Sequence, residues 1–272
     1  MKLLTLNTHS LVEEDHSRKL KIFADAVSAE KPDIIALQEV NQSRTEIAAN
    51  PVRYFPADHS AVVRRDNHVL NAAKLLPEYF WTWIPIKLGY GRFDEGIALM
   101  SRSQILETAV LTVSANDDYS NWKTRKILGI RTEVCPKEWF FSVHYGWWDD
   151  DADPFSAQWE RTLSQLDGFG KVWLMGDFNN PAEVKEEGYD LILRSGFRDC
   201  FTCARFRDEG VTAEGHIDGW KDKHSDEKMR IDQIWHSGRV SAESCFTIFN
   251  GENYPVISDH YGVMLKLLKM RK

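Results

Sequence analysis

Short apolar runs recur through this chain, and most of them stop at a carboxylate, an amide or an imidazole. KLLTLN stops at Asn7, KPDIIALQEV carries Glu39 near its end, and WFFSVHYG holds His144. KVWLMGDFN ends in Asp177 and Asn179, MRIDQIWHS carries Asp232, and Asp259 and His260 stand where apolar residues resume in ISDHYGV. Runs of this length bounded by turn residues read as buried strands. Their polar ends then gather at one edge of a sheet, where ligands bind in open α/β structures. Each residue alone reads more readily as a polar strand end facing water. Eight together, all oxygen, amide or imidazole side chains, are not what unrelated turns would select.

Two stretches change period. DHSRKLKIFADAVSAE spaces Leu20, Phe23 and Val27 as one helical face, and PFSAQWERTLSQL does the same with Phe155, Trp159, Leu163 and Leu166. A third helix is expected around EEGYDLILRSG. Strands at GIALMSR, ILETAVLTV, RKILGIRTEV and WFFSVHYG follow one another closely and predict an antiparallel meander. Each half of the chain runs strands, helix, strands, the pattern of two packed sheets with helices outside. At 272 residues, with 43% apolar residues and no Pro/Gly/Ser linker, residues 1–272 are expected to form a single domain. MKLLTLNTHS is interrupted too early for a signal peptide, and no run reaches the length of a spanning helix, so the expected location is cytoplasmic and no membrane partner is expected. Cys135, Cys200, Cys203 and Cys245 read as free thiols; Cys200 and Cys203 form a lone C-x-x-C with no second ligand pair for zinc.

The signatures TLN, LQEV, SVHYG, GDFN, RIDQIW and SDH, in that order, resemble the endonuclease/exonuclease/phosphatase superfamily, whose members include DNase I, exonuclease III and inositol-phosphate phosphatases. The resemblance implies an α+β fold: a four-layer α/β-sandwich of two packed mixed β-sheets flanked by helices, with a divalent-metal phosphoesterase site at one edge. Asn7 and Glu39 offer hard oxygen ligands suited to Mg²⁺ or Mn²⁺, with Asp259 as a further metal contact. By the same resemblance Asp177 orients or deprotonates the attacking water and Asn179 holds water or phosphate. His260, protonated and held by Asp232, donates to a phosphoryl oxygen, and His144 faces the phosphate or the leaving oxygen. One departure lies after the Asp-His pair, where Tyr261 and Gly262 replace the small residue and proline that many members carry; this bears on loop shape and not on the imidazole.

EGIALMSR, NWKTRKI, HYGWWDDDADPF, GDFNNPAEVKEEGYDLI and VTAEGHIDGWKD resemble one branch in particular, the bacterial maltose 6′-phosphate phosphatases. A net charge of −7, with Asp149, Asp150, Asp151 and Asp153 just after His144, disfavours a nucleic-acid partner. The same aspartates read alternatively as a solvated loop capping the helix at Phe155. Lys123 and Arg125 are candidate phosphate clamps or an ordinary turn before a strand, and Trp147 is a sugar-stacking residue or core. The expected activity is a phosphomonoesterase on a small phosphorylated sugar. The alternatives are a nuclease, for which only Arg64-Arg65 and the tail KLLKMRK are concentrated basic stretches, and a non-catalytic phosphate-binding scaffold. No protein partner, oligomeric state or metal count follows from the residues.

Overall fold

A computed structural model describes residues 1–215, 217, 220 and 228–268. In chain order its main elements are β1 (Lys2–Asn7), α1 (His16–Glu30), β2 (Ile34–Ser43), α2 (His68–Leu75), β3 (Phe80–Gly89), β4 (Phe93–Ser101), β5 (Ile105–Thr112), β6 (Lys126–Thr132) and β7 (Cys135–His144). The second half contains α3 (Phe155–Leu166), β8 (Lys171–Asp177), α4 (Gly188–Arg194), β9 (Arg198–Asp199), β10 (Ala204–Arg207), β11 (Ala213–Glu214), β12 (Lys228–Met229), β13 (Asp232–His236), β14 (Ala242–Ile248) and β15 (Gly262–Leu267).

Two mixed sheets form the body. One has the order β10-β14-β15-β1-β2-β4-β3, the other β5-β6-β7-β8-β13-β9, and β11 pairs with β12 in a small ribbon. Parallel pairs occur in both, β1 with β2 and β7 with β8. The sheets face each other across a core that includes Leu3, Ile34, Leu99, Ile130, Phe140 and Met175. The helix α1 lays Leu20, Phe23 and Val27 on the outer face of the first sheet, against Leu4, Ile35 and Leu37. On the outer face of the second, Phe155 and Trp159 of α3 and Ile192 of α4 meet Phe141, Val143 and Leu174. This is the expected four-layer DNase I-like sandwich. No helix among the described residues is long and apolar enough to cross a membrane.

Three local expectations change. The meander contains only β5, β6 and β7, because β4, which carries GIALMSR, pairs with β2 and β3 in the first sheet. A turn at Ser101–Ser103, closed by the Ser101 hydroxyl, carries the chain from one sheet to the other. MRIDQIWHS divides between β12 and β13. Glu39 is not at the end of its strand: β2 continues to Ser43, and Glu39 sits in a register shift opposite β4 with φ 51°.

A buried polar bridge joins the sheets near their common edge. The Gln38 amide donates to Ser142 Oγ at 2.9 Å, Ser142 Oγ donates to the Leu37 carbonyl at 3.0 Å, and Thr5 Oγ1 donates to Gln38 Oε1 at 3.3 Å. Buried polar groups that satisfy one another in this way specify a unique alignment of the surfaces that carry them.

Candidate active site

Strand register assembles one wall of the site. His144 on β7 is paired with Asp177 on β8, and Asp177 with Asp232 on β13, so three functional side chains stand in a row at the ends of adjacent strands. Gly176 makes the row possible: its φ is 151°, and a Cβ there would lie 2.0 Å from the Val143 carbonyl oxygen of β7. After Asp177 the chain turns at Asn179, φ 49°, with the Asn179 backbone N–H donating to Asp177 Oδ1 at 2.8 Å. Asparagine tolerates that left-handed conformation better than most residues.

The first sheet supplies the facing wall. Asn7 ends β1 and its amide donates both to Glu39 Oε1 at 2.9 Å and to Asp177 Oδ2 at 3.2 Å. The bulge in β2 turns Glu39 out of the strand's alternation, the usual effect of a bulge beside a functional site. His260, just before β15, is held by Asp232 Oδ2 at 2.8 Å from Nδ1, and its Nε2 lies 4.0 Å from Asp177 Oδ2. His144 Nε2 lies 3.5 Å from the same oxygen. Asp259 is at the mouth, its Oδ1 3.8 Å from His9 Nδ1. All eight polar residues named from the sequence thus lie at this edge, Glu39 from a bulge inside β2 and not from a strand end.

Burial and neighbours set the charges. Burial, then the Asp232 carboxylate, push Asp177 up to about 7 against the opposing His260. Burial pulls His260 down, but Asp232, Asp177 and Asp259 outweigh it and hold the imidazole well above its ordinary value. His144 goes the other way: burial, with Arg125 and Lys87 nearby, holds it well below, so it is neutral. Glu39 is raised to about 7 by burial and by Glu95 and Asp259.

Glu39 and Asp259, with Glu95 close enough to act on Glu39, therefore concentrate carboxylate charge at the partly buried mouth of the site, an arrangement that a divalent cation would relieve. The donors are oxygens, which fits a hard ion. Asp177, Asp232 and His260 also bring ligand atoms within 4.8 Å of one another, as do His9, Glu13 and Asp259.

The remaining expected residues divide. Asn179 has its amide engaged at both ends, donating to the Tyr145 carbonyl and accepting from Trp220 Nε1, each at 2.9 Å. One N–H and one lone pair are left for water or phosphate. Lys123 is bound to Asp150 Oδ2 at 2.6 Å. Arg125 is buried and shares a narrow crevice with His144, Lys87 and Glu95. Trp147 is half-buried with its ring 5.9 Å from the Arg125 guanidinium carbon. Of the four aspartates after His144, Asp150 is paired with Lys123 and Asp153 with Arg161, while Asp149 and Asp151 are exposed. The segment HIDGWKD lies mostly outside the described residues, as do the last residues of the tail KLLKMRK.

Lys87 and Glu95, 3.0 Å apart and both buried, were not singled out in the sequence. The available signal was two charges inside otherwise apolar strand runs, which without a register read as the wet face of a strand.

The sequence model of the endonuclease/exonuclease/phosphatase family matches residues 4–260, a span that runs from β1 to His260. The chain belongs to this family. Family members typically use a divalent metal ion. Among solved structures, the chain is similar to an endonuclease/exonuclease/phosphatase family protein from Leptotrichia buccalis at 26% identity and a TM-score of 0.87, covering 99% of this chain and 100% of the other. A mannosyl-6-phosphatase from Bacteroides thetaiotaomicron aligns at 18% identity and TM-score 0.66, over 99% and 100%. The 3′ phosphatase NExo from Neisseria, bound to a product DNA hairpin, aligns at 18% and 0.65 over the same shares, and both show the shared fold. A sequence search against curated proteins found no match.

Proposed function

We propose that this family member is a divalent-metal-dependent phosphomonoesterase that releases phosphate from a phosphorylated sugar such as maltose 6′-phosphate. One observation carries the reading. Arg125, only 3% exposed, has no carboxylate within ion-pair distance among the described residues, and its Nε has no hydrogen-bond partner there. Its neighbours at hydrogen-bonding distance are the Trp122 and Thr124 carbonyls. A buried guanidinium that makes no direct ion pair is costly; Glu95, Asp177, Glu39 and Asp150 offset part of that cost at longer range, and an anion bound beside Arg125, Lys87 and His144 would offset more. A phosphomonoester brings close to two negative charges, a diester one. The mannosyl-6-phosphatase and the DNA 3′ phosphatase among the relatives are both phosphate-releasing proteins by name, which supports a monoester.

In this reading Glu39, Asn7 and Asp259 would hold the ion. When bound it neutralises charge on the phosphoryl oxygens. Asp177 accepts the proton of the water that attacks phosphorus, Asn179 orients that water with its remaining N–H, and the bond from phosphorus to the sugar oxygen breaks, the departing alkoxide taking up a proton from solvent. His260, kept protonated by Asp232, donates to a phosphoryl oxygen, and neutral His144 contributes an N–H to the phosphate. Arg125 anchors the phosphate.

Phosphate release across sugar phosphates, nucleotides, inositol phosphates and a 3′-phosphorylated DNA end tests the reading. Sugar phosphates should be turned over with Mg²⁺ or Mn²⁺, lose turnover in EDTA and regain it on re-addition. Activity that survives exhaustive EDTA removes the metal requirement. Release from the DNA end alone replaces the sugar by nucleic acid, and no turnover of any ester leaves a phosphate-binding scaffold.

A further inference from the structure

Trp122 is 54% exposed, and its ring centroid lies 5.8 Å from that of Trp147 at 56°. The pair adjoins Arg125, whose guanidinium carbon is 5.9 Å from the Trp147 ring and whose guanidinium donates to the Trp122 carbonyl at 3.2 Å. Trp147 rests on an apolar cluster of Ala213, Ile217, Trp220, Met229 and Ile231, which fixes its plane. Its indole Nε1 is buried and has no hydrogen-bond partner among the described residues. The Lys123–Asp150 ion pair forms a polar rim, with Lys123 Nζ 5.5 Å from the Trp122 ring.

An exposed indole beside a polar rim, with a second indole packed next to it, matches the mixed surface of a pyranose, whose C–H faces are apolar and whose edge carries hydroxyls. Arg125, the candidate phosphate contact, touches both tryptophans, the Trp147 ring by its guanidinium face and Trp122 through its backbone carbonyl. We propose that Trp122 is a specificity-determining residue: with Trp147 it forms a shelf for the sugar ring that does not carry the phosphate, so that the site selects a phosphorylated disaccharide over a hexose monophosphate. Trp147 takes the proximal ring and Trp122 the distal one, and the Lys123–Asp150 pair meets hydroxyls at the rim. This rests on the sugar-phosphatase reading.

The experiment compares kcat/KM for maltose 6′-phosphate and glucose 6-phosphate in the wild type, Trp122→Ala and Trp122→Tyr. Trp122 is exposed, so the alanine variant should fold, which circular dichroism verifies. The ratio of disaccharide to monosaccharide efficiency should fall about tenfold in Trp122→Ala, through KM, and recover substantially in Trp122→Tyr, since a stacked aromatic contributes roughly that factor. An unchanged ratio in Trp122→Ala overturns the shelf even if both substrates are hydrolysed. A wild type that hydrolyses neither sugar phosphate but does hydrolyse another ester overturns the sugar reading, and the shelf falls with it.

Discussion

Asp232 and His260 are separated by 28 residues and meet at 2.8 Å, a pairing expected from the family resemblance and not derivable from spacing alone. The carboxylate orients the ring and raises its pKa, and we propose that the two act as one device. Asp232→Asn and His260→Asn should each lower kcat/KM by roughly 10² or more, and the double variant should be little worse than the worse single; additive losses in steady-state kinetics would show two independent roles. Glu39 illustrates a tension between function and stability. Its carboxylate is raised to about 7 by burial, Glu95 and Asp259, so at pH 8 it is ionised among like charges. Glu39→Gln should therefore need more than about tenfold more Mg²⁺ for half-maximal rate, yet unfold at a higher temperature than the wild type when both are in EDTA at pH 8. A lower melting temperature there would mean that Glu39 is held by favourable contacts instead. What the residues alone did not reveal was the pair Lys87 and Glu95, or that Asn179 has its amide largely committed to Tyr145 and Trp220. Both depend on which strands are neighbours, and that is not written in any one motif.

Among the elements, β1, α1, α3, β8 and β15 were readable because each is a clean apolar run or a clean helical stripe. β3 and α2 were not. Pro85 speaks against a strand and is tolerated because β3 is the outermost strand of its sheet. α2 has eight residues, too few for a convincing periodicity, and starts on the Asn67 side chain, which accepts from the Leu70 N–H at 3.0 Å. The division of β4 from β5 between two sheets was invisible for a related reason: local sequence marks the strands, while packing decides which sheet each one joins. The Gln38–Ser142 bridge is where that packing is fixed beside the site. Gln38→Leu leaves Thr5 Oγ1 without a buried partner and removes one of the two hydrogen bonds of Ser142, and should cost about 1–3 kcal/mol in urea unfolding, with a loss of kcat as Glu39 and His144 shift apart. Wild-type stability in Gln38→Leu would show that apolar packing alone aligns the sheets.

For the molecule as a whole, the four layers and the site at one edge follow from the order of the motifs, and the family match from residue 4 to residue 260 agrees with that order. Net charge was a blunter guide, since Asp150 and Asp153 after His144 are ion-paired locally. Global stability carries its own pH signature. His68 on α2 is buried, its Nδ1 2.9 Å from His16 Nε2, and burial, then the neighbouring His16, lower its pKa to about 3. The folded state thus refuses a proton that the unfolded chain takes near 6.5. Stability is full above that value and falls as pH drops towards 3, by about 1.4 kcal/mol per pH unit for this group. His68→Leu should flatten the dependence of urea-unfolding free energy between pH 7 and pH 5; an unchanged slope would place the acid sensitivity elsewhere. The central claim is that this edge hydrolyses a small sugar phosphomonoester and not a nucleic-acid strand. Its most direct measurement is kcat/KM with Mg²⁺ for maltose 6′-phosphate against a short DNA duplex, in wild type and Asp177→Asn. The sugar phosphate should be preferred by orders of magnitude and its turnover abolished in Asp177→Asn, whereas a duplex cut as efficiently as the sugar phosphate, or cut alone, would contradict the claim.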